Sequence, residues 1–183
     1  MIKYSWNTMF KCLTSTPTLW YNINTKTRRK FKIMKKAIYL DMDGTIANLY
    51  SMADWLPKLR AYSTEPYRQA EPIGNMAMLA HLLNTLQKKG YHIGIISWLS
   101  KEPTPAYDKA VTSAKKEWLG EHLKSVQFDE IKIVSYGIPK STMVQYPNGI
   151  LFDDELPNRQ EWKGTAYDEK NLLEILKNLV KNA

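Results

Sequence analysis

The 183-residue chain has a single cysteine, Cys12, and only three histidines. One cysteine excludes a disulfide framework and a cysteine-based zinc site. No stretch reaches the roughly 18 consecutive apolar residues of a membrane span. The longest apolar runs are about strand length. Acidic residues are missing altogether from residues 1–40, which hold nine of the 26 Lys and Arg. The remaining 17 basic residues face all 18 acidic ones over residues 41–183, so the net charge of +8 belongs to an N-terminal arm. A near-neutral body argues against nucleic acid or an anionic membrane as its main partner. Trp, Tyr, Ile and Leu are plentiful enough to exclude disorder throughout, and one domain of this size needs no staple to fold.

The arm, residues 1–33, admits three readings. It is acid-free and rich in Ser, Thr, Lys and Arg, as a targeting peptide is. Arg28-Arg29-Lys30 near Trp20 and Tyr21 also suits a nucleic-acid-binding arm. The third reading is an extension without a fold of its own, or one outside the natural product, since Met34-Lys35-Lys36 before a strand looks like a start of translation. No apolar core of 7–15 residues follows the basic residues, which argues against a secretory signal. A start at Met34 implies a cytoplasmic protein; a transit peptide implies an organelle.

From residue 37 onward, strand and helix patterns alternate. Ala37–Leu40, His92–Ile96, Ile131–Val134 and Ile150–Phe152 are short apolar runs of the kind found in parallel sheets covered on both faces. Between and after them, helical spacing recurs at Met76, Leu79, Leu82, Leu83 and Leu86 before Gly90, at Val111, Ala114, Trp118 and Leu119, and from Leu172 to Val180 with Asp168 as cap. The alternation predicts an α/β fold with a doubly wound parallel sheet and flanking helices over residues 34–183. Ligands in such folds bind outside the carboxyl ends of the strands. Asp41, Asp43, Ser97, Asp153 and Asp154 fall at those ends. Clustered carboxylates need a cation or shared protons. The scarcity of His and Cys favours a hard, oxygen-liking ion, Mg²⁺ above all.

The strongest motif is Asp41-Met42-Asp43-Gly44-Thr45. An Asp at a strand end can attack phosphorus. A second Asp two residues on can exchange a proton with the leaving group. Gly44 permits a sharp turn beside a phosphate. A calcium-binding loop starting at Asp41 requires Glu at its twelfth position, where Met52 stands.

This motif, after an apolar strand, resembles the first signature of the haloacid dehalogenase (HAD) superfamily of phosphotransferases. Ser97, Lys140 and Asp153-Asp154 resemble the second, third and fourth signatures, in order. The resemblance covers about residues 35–183. It implies that Asp41 is the nucleophile. It makes Asp43 the acid for the leaving oxygen and then the base for water. Ser97 and Lys140 hold the phosphoryl group. On the same resemblance, Mg²⁺ would be held by the Asp41 carboxylate, the Asp43 carbonyl and a fourth-signature acid, Asp153 first. Asp154 orients a metal-bound water or pairs with Lys140. A proton-handling Asp43 favours phosphatase over dehalogenase chemistry.

Family members often insert a substrate-selecting cap after the first signature. Here Ser51 to Pro72 leaves room for a small helical insertion, with a helix starting near Trp55. Gly44, Thr45, Trp55, Tyr67, Arg68 and Trp98 form the expected substrate-binding set; Trp55, Tyr62 and Tyr67 can stack a ring, and Arg68 can meet a phosphate. Trp55 equally suits packing of cap on core. Trp98 suits a base platform or packing under the loop Lys101 to Pro105. Ile96 to Leu123 resembles the 5′(3′)-deoxyribonucleotidase group, with Tyr107, Lys115 or Lys116, and Trp118 at matching positions. Three functions follow. The first is a Mg²⁺-dependent phosphomonoesterase acting on a nucleotide or similar small phosphate. The second is a nucleic-acid end-processing phosphatase using the basic arm. The third is a non-catalytic phosphate-binding or regulatory module.

Overall fold

A computed structural model describes residues 36–102 and 104–183. The arm of residues 1–33, with its targeting and nucleic-acid readings, lies outside the described residues. Five parallel strands form the central sheet: β1 (Ala37–Leu40), β4 (His92–Trp98), β5 (Glu130–Val134), β6 (Ile150–Phe152) and β7 (Thr165–Tyr167). Their order is β5-β4-β1-β6-β7. The chain runs outward from β1 through β4 to β5, then returns to the other side of β1 for β6 and β7. This α/β architecture, a parallel sheet flanked by helices, is the one the alternation of patterns predicts.

The period-two geometry of a strand explains why β1 is wholly apolar. Ile38 and Leu40 face one layer, where they pack with Leu79, Leu83, Leu86 and Leu176. Ala37 and Tyr39 face the other, with Ile96, Leu151 and Trp162. Helix α3 (Met76–Lys88) presents its leucine stripe to the first face. Asn75 caps it by accepting a hydrogen bond from the Met78 amide at 2.9 Å. Gly90, at φ 89°, lets the chain turn out of the helix. Helix α4 (Pro105–His122) starts with Thr104 as cap and Pro105 in its first turn. Helix α6 (Leu172–Asn182) completes the layer. Asp168 caps the short 3-10 turn Glu169–Asn171 rather than α6 itself, because a turn intervenes before the helix begins.

Two strands of a small hairpin, β2 (Ala47–Asn48) and β3 (Glu71–Pro72), follow β1 and pair antiparallel. Between them sit a 3-10 turn (Leu49–Ser51), α1 (Trp55–Arg60) and α2 (Glu65–Gln69). The helical insertion therefore spans 49–70, because Glu71 and Pro72 belong to the hairpin. It is fastened to α4. Leu49, Leu59 and Tyr67 share a buried cluster with Tyr107, Val111 and Ala114. Tyr107 Oη donates to the Ser63 carbonyl at 2.8 Å, and Trp118 Nε1 donates to the Ala70 carbonyl at 2.7 Å. Burying each large apolar side chain contributes on the order of 1.5–3 kcal/mol, so the insertion is a fixed wall over the strand ends.

Candidate active site

Asp41 follows the last residue of β1, and its amide donates to the Phe152 carbonyl at 2.9 Å. Asp153 follows β6, and its amide donates to the Tyr167 carbonyl at 3.2 Å. Each carboxylate is thus carried by one further rung of the sheet. One oxygen from each of Asp41, Asp153 and Asp154 lies within 4.8 Å of the others. The Asp43 side chain is outside that trio and belongs to a different pairing.

Four carboxylates face two buried lysines. Lys140, in the 3-10 turn Lys140–Thr142 of the β5–β6 connection, donates to Asp153 Oδ2 at 2.6 Å. Its ammonium also lies 3.0 Å from Asp41 Oδ1. Burial works against that charge, but Asp41 and Asp153 more than offset it and leave Lys140 above the usual lysine range. Lys115, on α4, donates to Asp43 Oδ2 at 2.6 Å, Ser97 Oγ at 2.9 Å and the Trp98 carbonyl at 2.7 Å. All three of its protons are used. Ser97 is therefore oriented by Lys115, and it lies inside β4 rather than at its end.

The acids respond to this environment. Burial pushes the Asp43 carboxyl up, with Lys115 opposing. Burial, then the charge of Asp41, pushes Asp153 up to about 6. Asp154 is pushed up to about 7 by burial and by Asp41 and Asp153. The cluster carries more negative charge than its two lysines balance.

Around the trio, second contacts fix direction. Asn158 Nδ2 donates to both oxygens of Asp153, at 3.1 and 3.2 Å. Arg159 Nη1 donates to the carbonyls of Asp153 and Asp154, each at 2.7 Å. Both come from α5 (Leu156–Glu161). Thr45 Oγ1 donates to Asp154 Oδ1 at 3.2 Å and accepts from the Asp154 amide at 3.1 Å. Asp154 is thus paired with Thr45, and Lys140 with Asp153, so of the two roles the resemblance implies for Asp154 the pairing with Lys140 is not the one formed. Gly44 has φ 79°, and a Cβ there would collide with the Asp154 carboxylate and the Tyr50 ring.

A cleft of about 420 Å³ opens above these groups. Asp41, Asp43, Ser97, Lys140 and Asp154 form its floor, and Tyr50, Trp55, Tyr67, Trp98 and Tyr136 contribute to its walls. Tyr50 meets Trp55 at 5.1 Å between ring centres, and Trp98 meets Tyr136 at 4.9 Å. Of the expected substrate-binding set, Trp55, Tyr67 and Trp98 line the cleft. Thr45 is fully buried beneath it, acting on Asp154. Arg68 is not in the cleft: it pairs with Glu117 on the outer side of α4, because α2 turns that side chain away from the opening.

Sequence reasoning named Lys115 only as an alternative to Lys116, by resemblance and without a role, and did not place Asn158 or Tyr136. Lys115 had a signal: it shares the helical face of Val111, Ala114 and Trp118, all buried, while Lys116 is exposed. Asn158 and Tyr136 had none, since each sits in a segment without a regular pattern.

The donors fit a hard cation. Asp41 Oδ1 is buried and accepts no well-directed hydrogen bond, although Lys140 is near it. It is grouped with two further carboxylates that offer only oxygen, the ligand set Mg²⁺ prefers.

The fold and this strand-end site define an α/β protein with an acidic site at the topological switch of its sheet. The solved structure of D,D-heptose 1,7-bisphosphate phosphatase from Burkholderia thailandensis shares the fold: TM-score 0.51 at 13% identity, over 80% of this chain and 99% of that one. The same enzyme from B. bronchiseptica, complexed with magnesium and phosphate, matches at TM-score 0.49 and 13% identity over 81% and 99% of the two chains. No family model matches the sequence, and no curated protein matches it. No helix among the described residues is long and apolar enough to cross a membrane.

Proposed function

We propose that the chain is a Mg²⁺-dependent phosphomonoesterase of the HAD type, acting on a small phosphate ester whose leaving group carries a flat ring, such as a nucleoside monophosphate. The observation that carries this reading is Asp41 Oδ1, a buried carboxylate oxygen whose one close partner is the Lys140 ammonium at 3.0 Å, on the floor of a cleft and two residues from a second acid. Asp41 attacks phosphorus, forming the Asp41–phosphoryl bond as the ester P–O bond breaks. Asp43, whose carboxyl burial pushes up against the pull of Lys115, gives its proton to the departing oxygen. It then takes a proton from the water that attacks the phosphorus, releasing inorganic phosphate and restoring Asp41. Lys140 balances charge at the nucleophile, and Ser97 is positioned to bond a phosphoryl oxygen. Asp41, Asp153 and Asp154 would hold the cation, which supplies charge neutralisation for the phosphoryl oxygens. The aromatic walls support a ring-bearing leaving group, as stacking on Trp98, Tyr136 or Trp55 stabilises one without fixing its identity.

The test is phosphate release from nucleoside 5′- and 3′-monophosphates, sugar phosphates and phosphorylated oligonucleotides, with Mg²⁺ and with EDTA. Release from mononucleotides that vanishes in EDTA and in Asp41→Asn supports the reading. A preference for sugar phosphates would overturn the nucleotide part alone. A preference for oligonucleotide ends would favour end processing.

A further inference from the structure

Trp98 immediately follows Ser97 and closes β4. Its indole makes three contacts with one neighbouring segment. Nε1 donates to the Ile138 carbonyl at 2.9 Å. The ring centre lies 5.1 Å from Lys140 Nζ. The ring also meets Tyr136 at 4.9 Å, tilted by 51°. Tyr136, Ile138 and Lys140 all belong to the connection between β5 and β6. That connection has one 3-10 turn, Lys140–Thr142, and no other helix or strand. Gly137, at φ 80°, bends it just before Ile138, and the Ile138 amide reaches the Ser135 carbonyl only at 3.3 Å.

The connection's other hydrogen bonds fall at Pro139 and beyond, so residues 135–138 by themselves do little to deliver the ammonium to one point. Yet Lys140 is 4% exposed and bridges Asp41 and Asp153. The indole supplies the missing constraint. Its N–H fixes the backbone two residues before Lys140, and its face lies beside the ammonium, an attractive arrangement for a desolvated cation. We propose that Trp98 is a positioning residue for Lys140, acting on the nucleophile through that lysine in addition to forming the cleft wall. The proposal rests on the phosphomonoesterase reading for its kinetic consequence.

The test compares wild type, Trp98→Phe, Trp98→Leu, Lys140→Met and the Trp98→Phe/Lys140→Met double variant. Each is assayed on the preferred mononucleotide and on acetyl phosphate, a ring-free phosphoryl donor. Trp98→Phe keeps a ring but loses the N–H. Loss of one hydrogen bond predicts kcat lower by about three- to tenfold, with KM nearly unchanged and the same factor on both substrates. Trp98→Leu loses more. In the Lys140→Met background the Trp98→Phe change alters kcat less than about twofold, because the two act as one unit. An equal loss in both backgrounds would overturn the inference, as would a wild-type kcat. So would an effect confined to KM for the mononucleotide, which would make Trp98 a base platform only. Should Trp98→Leu fold poorly by its melting curve, Trp98→Phe carries the comparison. Phosphate release by no variant, wild type included, would defeat the proposed function separately. In that case ¹⁵N-lysine NMR still decides the positioning role. The ammonium signal of Lys140, assigned by its loss in Lys140→Met, should broaden or vanish in Trp98→Leu; its persistence would overturn the inference.

Discussion

Lys115→Met removes the ammonium that ties α4 to the acid Asp43 while keeping a stem of similar length. Lys115 is 1% exposed and its three donors serve Asp43, Ser97 and the Trp98 carbonyl. Removing one partner of a buried ion pair costs about 3–5 kcal/mol when the other charge stays behind. The two neutral acceptors each lose a bond worth about 1 kcal/mol net. The charge part of the loss depends on pH. The Asp43 carboxyl is already pushed up by burial against the pull of Lys115, so without the lysine it moves higher still. Below its folded value Asp43 is neutral and the penalty is small; as pH rises through that value, the unpaired charge appears and stability falls.

The expected result is a loss of about 3–5 kcal/mol in urea unfolding at pH 8 that shrinks as the pH is lowered toward the ordinary carboxyl range. For a protein of this size that corresponds to a melting temperature lower by roughly 6–20 °C at pH 8. Asp43→Asn/Lys115→Met should recover much of the loss, since no charge is then stranded. A Lys115→Met protein within about 1 kcal/mol of wild type at pH 8, below the range for a stranded charge, would refute the reasoning. A double variant no more stable than Lys115→Met would refute it equally.

Three further outcomes are expected. Asp153 and Asp154, raised to about 6 and about 7 against an ordinary carboxyl near 3.8, make the metal-free folded chain bind more protons than the unfolded chain across that interval. Its stability should therefore fall from about pH 4 to pH 7, and Mg²⁺ should raise the melting temperature more at pH 8 than at pH 5.5; an equal rise at both would count against the trio as the cation site. Thr45→Val should weaken Mg²⁺ binding in titration calorimetry, because it removes the hydroxyl that bonds Asp154 at two points; an unchanged Kd would remove Thr45 from the metal's support. Arg68→Ala should leave kcat/KM within about twofold and stability within about 1 kcal/mol, since its partner Glu117 is more than half exposed; a large rise in KM would return Arg68 to the substrate site.

The strands and the floor of the site were legible in the sequence because they obey local rules. Ala37–Leu40 is apolar on both faces, and the acids fall one residue beyond the apolar runs at Leu40 and Phe152. Lys140 is found only through resemblance, since nothing periodic surrounds it. Strand β7 escaped because Thr165–Tyr167 is three residues long at a sheet edge, too short for alternation to register. The fate of Arg68 was not legible: five residues of helix give no face on which to place a side chain. Lys115 lay in plain view on a buried helical face, but a lysine there reads as a snorkelling side chain until its three partners, distant in sequence, are known.

The four carboxylates differ most in what is left for them to do. Asp43 has Lys115 on Oδ2. Asp153 has Lys140, Asn158 and the Glu155 amide, which together occupy both oxygens. Asp154 has Thr45 on Oδ1. Asp41 Oδ1 is buried with the Lys140 ammonium, 3.0 Å away, as its one close partner. A carboxylate satisfied by several donors is a poor nucleophile, because attack must first break those bonds. Asp41 has a single such donor, the Lys140 ammonium that it shares with Asp153. These partners support the proposed roles of Asp41 as nucleophile and Asp43 as proton carrier.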